Sequence, residues 1–328
     1  MDTNKIVVDV QPRQTRVALV ENGQLAEYYV ERPGRERLAG NIYKGRVVNV
    51  LPGMDAAFVD IGLARNAFLY AGDIVFNSEE FEFESGGKKE RKDPVERLPI
   101  GKLVKPGQEL MVQVVKDPVG SKGARITTHI TLPGRLLVLM PTVDYVGVSR
   151  RIDEEEERAR IKTMADEVRP KGCGIIARTA ARDIEQDKMA EELRGLLAVW
   201  EQLVYKCNHV NAPYCVFRDS DLLVRAVRDM LNGDIMGMYV NDPAAYETMR
   251  DLATRLEPEL VDRIHLHQEG YDIFDDFNLE EKVDKSFARR VWLKSGGYLI
   301  FDHTEALCVI DVNTGKYVGN DNLQETIL

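Results

Sequence analysis

The sequence predicts an α+β protein built from several subdomains, with a small β-barrel in its first half. Residues 41–132 contain short β-branched and aromatic runs separated by glycine turns, a pattern typical of a small barrel. From residue 153 onward, helical and strand-like patterns alternate. Two further strand-like runs, YLIFD and ALCVIDVN, follow near the end. A chain of 328 residues is long enough for two or three domains.

The N-terminal segment predicts a strand followed by a hairpin. Residues 5–10 are rich in β-branched apolar side chains, with Asp9 among them, and residues 17–31 form two β-rich runs joined by Asn22-Gly23. Asn-Gly is the strongest short hairpin signal, because both turn residues need a positive φ. Asp9 could be the first carboxylate of a metal site, but no partner acids follow at suitable positions. We therefore expect Asp9 to be structural.

The barrel pattern is broken at Pro52-Gly53, Gly62 and Gly72, where turns are expected. It is also interrupted by residues 77–97, a charged and non-periodic stretch that contains glycine. Such a composition cannot bury an apolar face, so it predicts a mobile loop within the barrel.

The second half predicts helices with a core-facing side. Residues 153–168 begin with acids, which favour a helix N-terminus, and stop before Pro170. A strand is expected over residues 172–180. Asp183 with Gln186 resembles a capping box that opens a long helix to about residue 204, and the spacing of Trp200 predicts a packing role. Residues 279–291 read as another helix.

Composition excludes few function classes. The net charge is −10, yet residues 100–151 carry eight basic and three acidic side chains, so both a polyanion-binding surface and ordinary surface charge stay open. No apolar run reaches membrane-span length, and no secretory signal is visible. The cysteines form no CxxC pair, which favours reduced thiols and a cytoplasmic protein, with no complete zinc site: Cys173, Cys207, Cys215 and Cys308.

Aromatic and basic side chains in the barrel segment could bind single-stranded nucleic acid. Phe58, Phe68 and Tyr43 could offer flat faces on which unpaired bases stack. Lys116 and Lys122 could hold phosphates. The alternative is that the rings belong to the barrel core.

Two strand ends carry polar side chains of interest. Arg178 and Thr179 follow a predicted strand, and a guanidinium beside a hydroxyl can hold a terminal phosphate by charge-assisted hydrogen bonds. Asp311 and Asn313 lie on a later strand, where a carboxylate and an amide on one face could be part of a metal site. A purely structural role is the alternative for each pair.

Taken in order, the motifs resemble the RNase E/G family of bacterial endoribonucleases. They are NIYKGRVVNVLPGMDAAFVDIG, GARITTHITLPGRLLVLMP, VSRRI, ARTA, KSGGYLIFDHTEAL and IDVNTG. The resemblance runs across essentially the whole chain, and the linked order is far more specific than any single motif.

The resemblance implies four subdomains. An RNase H-like subdomain is expected from residues 1–39 and 224–287, without an active site of its own. An S1 barrel of the OB type is inserted at residues 40–128. A 5′-sensor region is expected at residues 129–223, and residues 288–328 would begin a DNase I-like catalytic subdomain.

The resemblance also implies roles for individual residues. Phe58, Phe68 and Lys122 match the contacts of the S1 domain to single-stranded RNA. Arg178 and Thr179 match side chains that hold a 5′-monophosphate. The same pocket is matched by the backbone at Gly134 and Val138 and by the supporting basic side chain of Arg150.

Catalysis in the family implies Mg²⁺. Asp311 matches one of two aspartates that bind this ion, and Asn313 the nearby amide. The second aspartate, and the cysteines through which family members share Zn²⁺ between subunits, are expected beyond Leu328. The chain is therefore expected to be the N-terminal part of a longer enzyme, inactive by itself unless Asp302, Glu305 or another acid supplies the missing ligand.

The resemblance predicts an endoribonuclease that cleaves single-stranded RNA with a 5′-monophosphate, in rRNA processing and mRNA turnover in a bacterial cytoplasm. A homo-oligomer is expected for the complete enzyme. The alternative is an RNA-binding protein of the same family that does not cut.

Overall fold

The computed structural model describes the chain in several stretches: residues 4–34, 37–74, 98–268, 272–293, 295–304 and 307–315. The loop predicted at residues 77–97 lies outside the described residues, as does Glu305.

The strands of the described residues are numbered in chain order. They are β1 Lys5–Gln11, β2 Gln14–Glu21, β3 Gln24–Glu31, β4 Ile42–Leu51, β5 Ala56–Asp60, β6 Ala67–Tyr70, β7 Glu109–Lys116, β8 Arg125–Thr127, β9 Leu132–Pro133, β10 Leu137–Met140, β11 Val146–Val148, β12 Gly174–Ala177, β13 Tyr214–Phe217, β14 Gly237–Val240, β15 Ile264–Leu266, β16 Arg290–Trp292, β17 Tyr298–His303 and β18 Cys308–Asn313.

The α-helices of the described residues are numbered in the same way. They are α1 Ile100–Leu103, α2 Glu155–Val168, α3 Gln186–His209, α4 Leu222–Arg225, α5 Pro243–Leu256, α6 Ile273–Asp276 and α7 Glu280–Ser286. A π-helical segment, Ala226–Met230, continues α4. Short 3-10 turns lie at Pro52–Met54, Ala71–Asp73, Thr179–Ala181 and Pro258–Arg263.

The chain divides into two compact units. The continuous unit consists of the described residues of 34–229, and the split unit of those of 1–33 and 230–328. Each unit has its own hydrophobic core. The four-subdomain division stays a prediction.

The split unit is built on a sheet with the strand order β15-β14-β1-β2-β3. β1, β2 and β3 pair antiparallel, whereas β14 and β15 run parallel to β1. The hairpin predicted at Asn22-Gly23 is confirmed, with φ values of 50° and 73° at the two turn residues. A separate sheet has the order β16-β17-β18.

Asp9 is a buried partner of Arg16 in the split unit. Its carboxylate accepts hydrogen bonds from Arg16 Nε at 2.7 Å and from Asn241 Nδ2 at 2.7 Å. Burial alone would lower the pKa of Arg16, but the hydrogen bond and charge of Asp9 and the charge of Glu280 outweigh burial and raise it. The oxygens of Asp9 are thus used in a structural ion pair.

The predicted barrel is confirmed in the continuous unit. Pairing runs β4-β5-β6-β8-β7, and β7 pairs back onto β4, which closes the ring. Alternating residues of β4 and β5, such as Val47 and Val59, point into a core that excludes water. The closed ring is compatible with an S1 or OB fold.

Beside the barrel, the continuous unit contains a sheet of order β11-β12-β10-β9, on which α2 and α3 pack. Ile161 of α2 and Leu193 of α3 are buried against Leu139 of β10 in one cluster, and Trp200 packs on it as predicted.

Two predicted helix boundaries are wrong. Asp183 does not cap α3, since its φ of 59° turns the chain and its N–H donates to Glu157 at 3.1 Å, while the helix begins at Gln186. The helix expected over residues 279–291 ends at Ser286, because Arg290–Trp292 pairs with β17.

Candidate nucleic-acid interface

Two phenylalanines lie side by side on the outer surface of the barrel. Phe58 on β5 is directly opposite Phe68 on β6, and both are partly exposed. Their ring centroids are 6.1 Å apart, and the rings meet edge to face at 71°. This packing fixes both rings and leaves aromatic surface in contact with solvent, which suits stacking of unpaired bases.

Tyr43 does not join this surface. It lies on β4 within the barrel core and is only 6% exposed. Burial raises the pKa of its hydroxyl. The prediction that Tyr43 offers a flat face to a base is wrong, because the side chain points into the barrel rather than outward.

The lysines predicted to hold phosphates are exposed on the same barrel. Lys122 lies in the turn between β7 and β8, where its backbone pairs with Val119. Lys116 ends β7, and its neighbour in register on β8 is Arg125. Arg125 in turn is the register partner of Phe68 on β6. In the sequence, Arg125 is only one of the basic residues of segment 100–151, since strand pairing is needed to place it beside the rings.

Arg178 lies where β12 ends, as predicted. Its backbone N–H donates to the Leu136 carbonyl at 2.7 Å, which ties it to the loop before β10. Its guanidinium Nη1 donates to the Gly134 carbonyl at 2.6 Å and to the Asp229 carboxylate at 2.6 Å. The side chain is therefore held in one orientation at the end of the sheet.

The other predicted pocket residues lie around the same strands. The hydroxyl of Thr179 is 3.1 Å from that of Ser149, which directly precedes Arg150. Val138 on β10 pairs with Ile176 on β12 and with Pro133 on β9, so its backbone belongs to the same sheet.

Glu192 organises the loop that carries Gly134. Its carboxylate accepts hydrogen bonds from the backbone N–H of Arg135 and, at 2.8 Å, from that of Leu136. Burial raises the pKa of Glu192, although these donors and the charges of Arg178 and Arg135 oppose the rise. The sequence gives no local signal for this role, since Glu192 is one of many acids on α3.

The carboxylate of Asp229 accepts a hydrogen bond from the guanidinium of Arg178. Asp229 also accepts two hydrogen bonds from Arg228, at 3.0 and 2.8 Å. Burial alone would raise the pKa of Asp229, but Arg228 and then Arg178 outweigh it and lower the pKa. Asp229 thus stays ionised between the two guanidinium groups of Arg178 and Arg228.

The predicted metal residues lie in the split unit, on β18. Asp311 and Asn313 are two apart on the strand and share a face, and Asn313 Nδ2 donates to Asp311 Oδ2 at 2.9 Å. Asp302 on β17 is bound by Arg289 at 2.6 Å, and this arginine lowers its pKa. Asp302 is therefore already engaged in an ion pair.

The donor set fits part of a hard-cation site. Carboxylate and amide oxygens are what Mg²⁺ prefers, but an octahedral shell needs six ligands, about four more than Asp311 and Asn313 supply directly. Among the described residues, no group of three or more His, Cys, Asp or Glu is placed to hold a metal ion.

Within the described stretches, no helix is both long and apolar enough to cross a membrane.

Comparison with known proteins identifies the family. The family model "Ribonuclease E/G family" matches residues 131–328. Ribonuclease G of Escherichia coli K12 is 42% identical over 325 residues, which are 99% of this chain and 65% of that protein. Ribonuclease G of Haemophilus influenzae is 40% identical over 327 residues, 100% of this chain and 65% of that protein. Ribonuclease E of the same species is 33% identical over 319 residues, 97% of this chain and 33% of that protein.

The chain therefore spans 65% of the length of the Ribonuclease G relatives that it matches. The match covers both units, including the barrel, the end of β12 and β18. On this evidence, the chain belongs to the Ribonuclease E/G family.

Proposed function

We propose that the protein is an endoribonuclease that cleaves single-stranded RNA and favours substrates with a 5′-monophosphate. The observation that carries the proposal is the convergence of Arg178, Thr179 and the Gly134 loop at the end of β12, in a chain of this family. The resemblance to the family further suggests that the complete enzyme is a homo-oligomer that acts in rRNA maturation and mRNA turnover in a bacterial cytoplasm.

Single-stranded RNA binds on the outer surface of the barrel. Phe58 and Phe68 provide the stacking faces, at about 1–3 kcal/mol per base. Lys116 and Lys122 contribute attraction to phosphates, which weakens as salt rises. Because neither ring is buried in the barrel core, the rings can contact bases without opening the fold.

A 5′-monophosphate binds at the guanidinium of Arg178. The end phosphate carries about −1.5 to −2 charges, more than the single charge of the Asp229 carboxylate that Arg178 holds here. The phosphate can therefore compete with Asp229 for the guanidinium of Arg178. The hydroxyls of Thr179 and Ser149 and the basic side chain of Arg150 would provide further contacts. We expect a triphosphate, which is bulkier, to be disfavoured at the same position.

Magnesium would be held in part by Asp311, with Asn313 orienting a ligand or water. When bound, such an ion lowers the pKa of a coordinated water and stabilises the charge that develops on a phosphodiester. The chain's own contribution is to hold the carboxylate and amide 2.9 Å apart on one strand face. The zinc shared by family members is proposed only for the complete enzyme.

The subdomain assignment is part of the proposal. The antiparallel β1-β2-β3 with parallel β14 and β15 supports an RNase H-like subdomain, and the closed barrel supports the S1 subdomain. The sheet of β9–β12 would be the 5′-sensor, and β16-β17-β18 the start of the DNase I-like subdomain.

The 5′ pocket is tested with Arg178→Ala, with Arg194→Ala on the exposed side of α3 as the matched control. Cleavage and binding are measured on one RNA sequence bearing a 5′-monophosphate or a 5′-hydroxyl. We expect Arg178→Ala to lose the preference for monophosphate while binding 5′-hydroxyl RNA as before, because one charge-assisted contact is removed. If Arg178→Ala keeps the preference of the parent, the pocket lies elsewhere.

A second candidate is an RNA-binding protein that does not cut. It is favoured by the incomplete donor set around Asp311 among the described residues. The discriminating variant is Asp311→Asn in the complete enzyme, assayed for cleavage with Mg²⁺ and with EDTA beside its parent. If the protein is an endoribonuclease, the parent should show EDTA-sensitive cleavage, and Asp311→Asn should lose cleavage but still bind RNA. The binder predicts tight RNA binding with no cleavage by either protein.

A further inference from the structure

A row of side chains crosses the barrel surface from the phenylalanines to a basic edge. Phe58 on β5 faces Phe68 on β6, Phe68 faces Arg125 on β8, and Arg125 faces Lys116 on β7. Phe58, Phe68 and Arg125 each lie between two buried neighbours on their strands, so all three side chains project from the outer side of the barrel. Lys116 follows a bulge in β7 after Val114 and ends the row at its basic edge. With neighbouring strands about 4.8 Å apart, the row spans about 14 Å.

Arg125 is held in a fixed orientation within this row. Its Nε donates to one oxygen of Asp73 at 3.0 Å and its Nη2 to the other at 3.1 Å, and its side chain is 44% exposed. Such a two-pronged pair fixes the plane of the guanidinium as well as its position.

The backbone of Asp73 is itself fixed to the strand that carries Arg125. The Asp73 carbonyl accepts hydrogen bonds from the Thr127 hydroxyl at 2.8 Å and from the Thr128 N–H at 3.0 Å. The carboxylate of Asp73 is mostly covered, since only 18% of its side chain is exposed. The pair is thus a preorganised element of the barrel surface.

We propose that Arg125, oriented by Asp73, is a third stacking platform for single-stranded RNA, next to Phe68. This proposal rests on the proposed RNA binding by the barrel and gives the path of the strand, across β5, β6 and β8. A guanidinium plane stacks on bases as an aromatic ring does. Because Asp73 neutralises Arg125, the platform contributes through its flat face rather than through its net charge.

Because Asp73 balances the charge of Arg125, the salt dependence of RNA affinity distinguishes a stacking role of Arg125 from a phosphate contact. Each phosphate contact to a single strand contributes about 0.7 to the slope of log affinity against log salt concentration. Removing Lys122 should reduce the slope by about that amount. Removing Arg125 should lower affinity at every salt concentration and leave the slope unchanged.

The alternative is a purely structural role, in which the Arg125–Asp73 ion pair only attaches the 3-10 turn Ala71–Asp73 to β8. In that case, loss of Arg125 lowers the melting temperature and leaves RNA affinity in the folded protein unchanged. Arg125→Lys helps to separate the two, because lysine keeps the charge and an ion pair with Asp73 but has no planar group.

The experiment measures binding of a short oligouridine with a 5′-hydroxyl end, so that the 5′ pocket does not contribute, over a series of salt concentrations. The variants are Arg125→Ala, Arg125→Lys, Phe68→Ala and Lys122→Ala. The matched control is Arg46→Ala, which removes another exposed arginine of the barrel paired with an acid, Glu109 at 2.8 Å, away from the row. Melting curves identify any variant that is not folded.

We expect Arg125→Ala and Arg125→Lys to weaken binding roughly fivefold or more, the lower end for one stacked base, with an unchanged salt slope. Arg46→Ala should bind as the parent does. If Phe68→Ala weakens binding and both Arg125 variants do not, the platform is refuted while RNA binding by the barrel stands. A slope reduced by about 0.7 in Arg125→Ala would make Arg125 a phosphate contact and overturn the stacking proposal. If Phe68→Ala and Lys122→Ala are also neutral, the proposed barrel surface itself fails.

Discussion

Gly134 occupies a position where a side chain would collide with the group that organises its own loop. A Cβ atom there would overlap Glu192 Oε1 and lie 3.0 Å from the Leu137 carbonyl. Glu192 cannot simply move aside, because it accepts backbone hydrogen bonds from residues 135 and 136. The close approach of backbone and carboxylate is therefore what places the Gly134 carbonyl against Arg178.

Gly134→Ala should therefore lower stability and disturb the 5′ pocket. We expect a reduced melting temperature and a weaker preference for 5′-monophosphate RNA, since the Arg178 anchor shifts with the loop. The matched control is Gly195→Ala in α3, where an added Cβ meets nothing within 4 Å. That change should stabilise by up to about 1 kcal/mol through helix propensity. Unaltered melting and unaltered end preference in Gly134→Ala would show that the loop relaxes freely.

The position of a single residue can be predicted from the sequence where it follows from a strand end, and cannot where it depends on packing between distant segments. Arg178 lies at the end of β12 because the apolar run before it predicts the strand. Tyr43 could not be assigned a side from the sequence, because both faces of β4 are covered at this point. Ile42 is buried in the cluster beside the barrel, and Tyr43 is buried in the barrel core. Asp229 and Glu192 enter the pocket only through long-range contacts.

At the scale of single elements, α2 depends on an acid near its start. Glu157 accepts two hydrogen bonds from Arg160, at 2.7 and 2.6 Å, and one from the Asp183 N–H at 3.1 Å. These contacts lower the pKa of Glu157 from its ordinary value of 4.5 to about 2, with the Arg160 hydrogen bonds as the main cause. Glu157 thus links α2 to the turn that precedes α3.

The lowered pKa predicts a pH dependence for this link. The ionised form of Glu157 adds stability above pH 4.5, and that contribution is lost as the pH falls toward 2. Glu157→Gln should melt below the parent at neutral pH and approach it at pH 2 to 3. The difference should be modest, because solvent screens the partly exposed Arg160.

Glu156→Gln is the control for that measurement, since it removes a charge from the same exposed helix turn. The difference in melting temperature between Glu156→Gln and the parent should not shrink as the pH falls toward 2. A melting difference between Glu157→Gln and the parent that stays constant from pH 7 to pH 2 would contradict the assignment. The same contact explains why the capping-box prediction failed: the backbone of Asp183 is already used by α2.

At the scale of the whole molecule, the barrel, the sheet β11-β12-β10-β9 and the pocket around Arg178 all belong to the continuous unit. Its two hydrophobic clusters are made of residues from within that unit. The sequence predicted the barrel from its regular glycine turns. Its local patterns could not show where the N-terminal strands find their partners, since no local pattern encodes a parallel pairing between distant segments. Only the family resemblance implied that residues 1–39 and 224–287 belong together.

Residues 34–229 expressed alone should fold and bind single-stranded RNA. We expect cooperative thermal unfolding and an oligouridine affinity close to that of the 328-residue chain, because the proposed binding surface is complete within this unit. The same segment carrying Phe58→Ala and Phe68→Ala is the control for specific binding. A segment that fails to unfold cooperatively would show that the two units do not fold independently.

Because the split unit is discontinuous in sequence, its sheet can be completed only late in synthesis of the chain. Asp9 and its partner Asn241 are 232 residues apart, and β1 pairs with β14 across the same separation. At a synthesis rate of about 5–20 residues per second, the ribosome adds the intervening chain in roughly 10–50 seconds. Throughout that interval the nascent β1-β2-β3 meander has an open edge where β14 will later pair, while the continuous unit is already emerging and can fold. The first strands to be made are thus among the last to be completed, and chaperones have their longest opportunity to act at the N-terminus.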